Sequence, residues 1–504
     1  MNSPSASLDA IHNVDDDVLT TIFLHCIPTD LLKIKTTPND APLLLTHVCK
    51  HWRTVALNYP YLWRTLSFDL TRKISLDEFT HSSFERNLVA ANAWRVGLFE
   101  LAKGLKINVH LSTNPDRITL CNTFIDPMAQ PLYILQTPFT QSIARLTLRG
   151  PTLAQLNKLQ PGPFPALERL VLSCHGNIAE PVGVLDAFES APNLQYASLY
   201  MPFCGVHANI LLPWSQLTQL DHRLEGATDD FFSTILPSCT QLQQLNILAD
   251  VNPEILWDLE NDNAQPSILT QLHTLSISFA DSGDPVPVAF IELFRLFRFP
   301  NLRRLTLDGL LLNFQDDIWW MPDLVQHFLD MISSCSRLEH IAFSLIYGAD
   351  ETNLRAILEN APQLTSLDLQ IALSIETVLK LLTSKSTETT TSSSHAQLLP
   401  NLRTLSMDAS HLSTSWNNQK SQTIRDFVEA RIPGCLQKVV IYAGEGGRDT
   451  LNHIHGLVAE LCSDFKSLTI ARSFDGARLM EKDPELQHRR EEPWLIHRDI
   501  DMGV

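Results

Sequence analysis

Side chains able to do chemistry are few and scattered in this 504-residue chain. His47 and His51 stand four apart, a spacing that can put two imidazoles on one side of a helix as in zinc-binding segments, but the intervening Val-Cys-Lys lacks the glutamate of HExxH. Packing or surface roles are therefore expected for both. Gly444 to Leu451, GEGGRDTL, sits between an expected strand and an expected helix, the context of a phosphate loop. It fits neither GxGxxG nor the P-loop pattern, so a turn between repeats is expected instead. His453 and His455 are two apart and cannot share a helix face. The nine cysteines fall singly with no CxxC spacing, which indicates neither a zinc site nor a disulfide framework. With no complete catalytic, metal or cofactor motif, the expectation is a non-enzymatic protein that needs no cofactor.

Hydrophobic residues make up 44% of the chain and charged residues 19%, a balance typical of folded soluble proteins. The formal net charge of −18 argues against nucleic acid as a partner, because phosphate binding is driven by basic patches. No window approaches the roughly 20 apolar residues of a membrane span, and the N-terminus lacks the basic flank and apolar run of a signal peptide. A cytoplasmic or nuclear location is expected.

Residues 1–10 are polar and expected to be disordered. Asp15, Asp16 and Asp17 precede Val18, Leu19, Ile22 and Phe23, an apolar stripe at helical spacing that the acids are placed to cap. After a loop from Pro28 to Pro42, Leu43 to Leu57 reads as a second helical stretch stopped by Pro60. So short a segment cannot bury Trp52, Trp63 and these aliphatics securely by itself, so part of its apolar surface is expected to meet a partner helix.

VDDDVLTTIF followed by LLLTHVCKHWRTVALNYPYLW resembles the F-box, in particular the F-box-like segments of mushroom-forming fungi with their VC-x-x-W-R core and P-x-LW element. The resemblance spans residues 11–68; where the family usually carries Leu-Pro, this chain has Val14 and Asp15. It implies a small all-helical module that docks the Skp-family adaptor of a cullin-RING ubiquitin ligase, with Val14, Val18, Leu19, Ile22, Val48, Cys49 and Trp52 as the docking set. Trp63 and Leu66 are expected to tie the module to the rest of the chain.

From residue 143 an apolar residue, another three later and a third two beyond that recur twelve times, from Ile143/Leu146/Leu148 to Phe465/Leu468/Ile470, with degenerate units at Leu194 and Leu217. The mean period is about 29 residues, the mark of a solenoid of stacked units. Each L-x-x-L-x-L core predicts a short strand, and segments such as Asp323 to Ile332 and Ile375 to Leu382 predict helices, with Thr352 and Ser374 as candidate N-caps. Strand plus helix at this period is a leucine-rich repeat, giving an α/β fold behind the helical module. Proline repeatedly stands two residues before the first leucine, as at Pro165, Pro192, Pro300, Pro362 and Pro400, marking the turn into the strand. The residue before it is apolar or cysteine, which makes Cys239 and Cys335 packing residues. The asparagine or cysteine usual eight positions after the first leucine is missing.

The expected organisation is therefore a docking module at 11–68, a linking region at 69–142, the repeat array at 143–471 with a disordered insertion at 384–396, and a charged tail at 472–504. Trp319 and Trp320 are candidate target anchors, since tryptophan dominates binding hot spots. Together these features suggest a substrate receptor that bridges adaptor, and through it cullin, to a target protein. The alternative is an adaptor-independent repeat scaffold.

Overall fold

An L-x-x-L-x-L stretch puts its last two apolar residues on one side of an extended chain, and a strand forms at each of the twelve sites. The computed structural model describes residues 14–28, 38–69, 89, 93–102, 104–112, 132, 135–136, 138–151, 156, 164–174, 184–200, 210–225, 231–250, 266–280, 293–309, 322–346, 351–371, 373–383, 398–408, 418–431, 435–442 and 469–473. They form an α/β fold built on parallel strands, and fall into two compact units, within Met1–Leu217 and within Thr218–Arg490. No helix among them is long and apolar enough to cross a membrane.

In the first unit, β1 (Thr65–Asp69), β2 (Ile107–Ser112), β3 (Ile143–Arg149), β4 (Arg169–Ser173) and β5 (Tyr196–Tyr200) pair in chain order, all parallel. Among the described residues of the second unit, strands at Gln219–Glu225, Gln244–Asp250, Thr274–Ala280, Arg304–Gly309, His340–Ile346, Ser366–Ile371, Thr404–Asp408, Lys438–Tyr442 and Thr469–Ser473 follow, again parallel and in order, beside a separate short parallel pair, Ser267–Ile268 with Phe297–Arg298. Register stacks like on like. Leu220, Leu245, Leu275, Leu305, Ile341, Leu367, Leu405 and Val439 pair strand by strand and are all buried, forming one apolar seam. At the degenerate unit after Leu217, the seam's neighbouring position holds His222, which stays buried by stacking on Phe231 with ring centroids 4.4 Å apart.

Helices supply the second layer. Pro322–Ser334 buries Val325, Phe328, Met331 and Ile332, and its Phe328 meets Phe343 of a neighbouring strand at 6.4 Å between centroids. Glu351–Glu359 starts one residue before the expected cap Thr352, whereas Ser374 does cap Ile375–Thr383 by accepting from the Thr377 N–H at 3.1 Å. Ahead of the strand at Gln244–Asp250 the chain forms a π-helical turn, Phe231–Ile235, followed by the short helix Leu236–Ser238.

The proline positions open a recurring four-residue turn in which the first leucine's N–H donates to the residue three before it, as in Leu167 to Phe164, Leu194 to Ala191, Leu302 to Phe299 and Leu364 to Ala361. Proline at the second position of such a turn has φ already set. The amide side chain at the third position then reaches the preceding unit: Asn193 Nδ2 donates to Pro165 O at 2.6 Å, Asn301 Nδ2 to Thr270 O at 2.8 Å and Gln363 Nε2 to Cys335 O at 2.8 Å. These amides tie successive units together ahead of each strand. The apolar first position is buried at Phe164, Ala191, Phe299, Ala361 and Leu399, and likewise at Cys239 and Cys335, whose thiols burial pushes up to about 12.

Two expectations for the N-terminal segment change. The stretch read as one helix is two, Leu45–Val48 and Lys50–Asn58, because Cys49 between them is extended at φ −154° and ψ 173°. The module is also not all-helical: its last residues belong to β1, whose Leu66 is buried and whose pairing with β2 begins where Asn108 N donates to Arg64 O at 2.7 Å. The insertion at 384–396, GEGGRDTL, and all of the tail beyond Ser473 lie outside the described residues.

Candidate functional site

The acidic run begins the first helix, Asp16–Cys26, as its residue types require. Asp15 is the N-cap, its carboxylate accepting from the Asp17 N–H at 2.9 Å, and Asp16 and Asp17 fill the first turn where the macrodipole favours negative charge. Asp15 thus sets where the helix starts. Leu19 and Phe23, one turn apart, form the buried side of the helix, and Phe23 packs on Trp52 with centroids 5.0 Å apart. Val18 and Ile22, also one turn apart, remain 52% and 43% exposed.

The break at Cys49 has a clear chemistry. Its sulfur accepts the Trp52 N–H at 3.4 Å, capping Lys50–Asn58, while Arg53 Nε donates to Thr46 O at 2.8 Å and so satisfies a carbonyl the break leaves free. Pro60–Trp63 comes next as a 3-10 turn, locked back onto the helix by Trp63 Nε1 donating to Ala56 O at 3.0 Å. His51 Nε2 lies 3.3 Å from Asp16 Oδ1, within ion-pair distance but without hydrogen-bond geometry, so the start of the first helix stands beside Lys50–Asn58. His47 is exposed and takes no part.

These contacts divide the seven residues carried over from the F-box resemblance. Val18, Ile22 and Val48 present apolar surface to solvent, Val48 being 53% exposed. Val14, Cys49 and Trp52 are half-buried, the last with its indole N–H buried and without an acceptor among the described residues. Leu19 is 1% exposed; it packs the interior and offers nothing for a partner to meet. Leu24, Leu44, Leu57 and Tyr61 are further exposed apolar side chains that periodicity does not single out, since a helical stripe alone does not reveal which of its edges the neighbouring helix covers. Of the ten large apolar side chains exposed among the described residues, seven lie between Asp16 and Trp63, so unburied apolar surface is concentrated in this short segment. Trp319 and Trp320 lie outside the described residues. Among the described residues no three histidine, cysteine or acidic side chains gather as a metal site would need.

No protein-family model matches the chain, and no curated protein matches it.

Proposed function

We propose that the chain is the substrate-recognition subunit of a Skp-cullin-F-box ubiquitin ligase, with the N-terminal helices docking the adaptor and the leucine-rich-repeat solenoid holding a target protein. One observation carries the reading: the exposed apolar side chains cluster in the segment that resembles the F-box, and Val18, Ile22 and Val48 of the expected docking set are among them. Apolar helix surface left wet is what a helix-in-groove partner covers. On this reading the protein does no bond chemistry. It raises the local concentration of target lysines beside the charged ubiquitin-conjugating enzyme. The test is co-purification of the full-length chain with a Skp-family adaptor and cullin; failure to form the complex in the wild type sinks the reading.

The alternative, an adaptor-independent scaffold, draws support from the way the helices run directly into β1, with Trp63 just before it and Leu66 within it both buried, as a capping segment of the array would be. Partner proteins whose abundance is unmoved by cullin inhibition would favour it.

A further inference from the structure

Within the second unit, helices pass into the turn before the next strand by a recurring hydrogen bond. The first residue of the turn donates its N–H to the helix carbonyl three residues back: Cys239 to Leu236 at 3.1 Å, Cys335 to Ile332 at 2.8 Å and Ala361 to Leu358 at 3.2 Å. Leu236, Ile332 and Leu358 are all fully buried. The bond satisfies a carbonyl that the helix end leaves free and ties the helix to its turn.

One junction departs from this. The helix Ile375–Thr383 carries Leu382 buried in the corresponding place, but the next turn opens at Leu399, so residues 384–398 come between. Arg431, the last residue of the helix Asn418–Arg431, stands in for the missing bond. Its Nη2 donates to Leu382 O and to Leu398 O, and its Nη1 donates to Leu399 O at 2.7 Å. One nitrogen thus holds carbonyls on both sides of the interruption, which places Leu382 and Leu398 side by side. A guanidinium suits the task, because it offers several donors in one plane and its charge is favoured at a helix C-terminus. The arrangement is not free of cost. Arg431 is 4% exposed, and burial pulls its pKa down to about 10. At Leu399 alone among the described non-glycine residues is φ positive, at 52°, a strained setting for leucine that the uninterrupted turns do without.

We propose that residues 384–397 are an addition interrupting a helix-to-turn junction of the array, and that Arg431 is the brace that lets the array fold around it. Without them the chain reads Leu382-Thr383-Leu398-Leu399-Pro400-Asn401-Leu402. Leu399 then stands three residues after Leu382, as Ala361 stands after Leu358 in Leu358-Glu359-Asn360-Ala361-Pro362-Gln363-Leu364. The direct bond from turn to helix becomes possible again, and Arg431 is no longer needed to replace it. Folding of the array therefore places no demand on the sequence of 384–397, whatever the array binds.

The test follows hydrogen exchange at the strand Thr404–Asp408, just after the turn, by mass spectrometry. It compares the wild-type chain, Arg431→Met, the chain lacking 384–397, and that shortened chain carrying Arg431→Met. A fifth protein replaces 384–397 by glycine and serine at equal length. The shortened chain and the glycine-serine chain should fold and protect the strand as the wild type does. Arg431→Met should speed exchange about tenfold or more in the full-length chain and leave the shortened chain unchanged. If Arg431→Met does not fold at full length, Arg431→Lys, which keeps the charge and loses the fork, takes its place in both backgrounds. A shortened chain that does not fold, loss of protection in the glycine-serine chain, or an equal effect of the arginine substitution in both backgrounds overturns the proposal.

Discussion

Replacing Val18, Ile22 and Val48 together by alanine separates docking from folding. Complete burial of a valine or isoleucine side chain is worth roughly 1.5–3 kcal/mol, and about half of each is still exposed here, so each withholds about 1 kcal/mol that a partner could recover. The triple variant should therefore lose roughly 3 kcal/mol of adaptor affinity, more than a hundredfold in Kd. Its stability should barely move, because exposed apolar positions contribute little to folding and alanine is the better helix former. Leu19→Ala should do the reverse: with Leu19 1% exposed, truncation removes core packing and costs about 2–5 kcal/mol of folding free energy. Calorimetric titration of each full-length variant with a purified Skp-family adaptor, beside its thermal melt, reads both quantities. A triple variant that binds as wild type does, or that melts as early as Leu19→Ala, refutes the assignment of these three side chains to a docking surface.

Cys49→Ala should destabilise the helical segment by about 1 kcal/mol through loss of the cap on Trp52 N–H, while Cys49→Ser should hold or gain stability, as chemical denaturation would show. Arg431 is buried and donates to the carbonyls of Leu382, Leu398 and Leu399, clamping the two ends of the 384–396 insertion; Arg431→Met leaves those acceptors unpaired and should cost roughly 3 kcal/mol, an unchanged denaturation midpoint counting against it. Alkylation followed by mass spectrometry should label exposed Cys26 and Cys435 in the native protein and spare Cys239 and Cys335 until it unfolds. Because burial raises these last two thiols from 9.0 to about 12, their protonated form favours the folded state; that contribution is intact below about pH 9 and should be lost as pH rises toward 12, visible as a falling melting temperature.

Much of the fold is legible in the chain because its information is local and repeated. Leucines at i, i+3 and i+5 dictate a strand with one buried side wherever they occur, and Φ-Pro-x-Leu dictates the turn before it, so twelve strands and the packing roles of Cys239 and Cys335 come from spacing alone. Even the amides of Asn193, Asn301 and Gln363 are visible there, although their use is not: an asparagine before a leucine says nothing of the carbonyl one unit away until the units stack. The break at Cys49 is hidden for a similar reason, since Val48-Cys49-Lys50 contains neither glycine nor proline and only the cap on Trp52 with the Arg53 bond to Thr46 makes the interruption favourable.

The amino-acid order by itself determined which side chains are apolar and at what period, hence that Val18, Leu19, Ile22 and Phe23 share one helix. Tertiary structure alone decided which of them stay wet. Leu19 and Phe23 are covered because Trp52 packs against that side, while Val18 and Ile22, at the edge of the same stripe, are left about half exposed. The same holds for Arg145 and Arg169, 24 positions apart in the chain and neutral to each other as sequence: parallel pairing of β3 with β4 puts their charges side by side. Periodicity is a property of one segment, whereas exposure and charge juxtaposition belong to pairs of segments, and pairs exist only once the chain is folded.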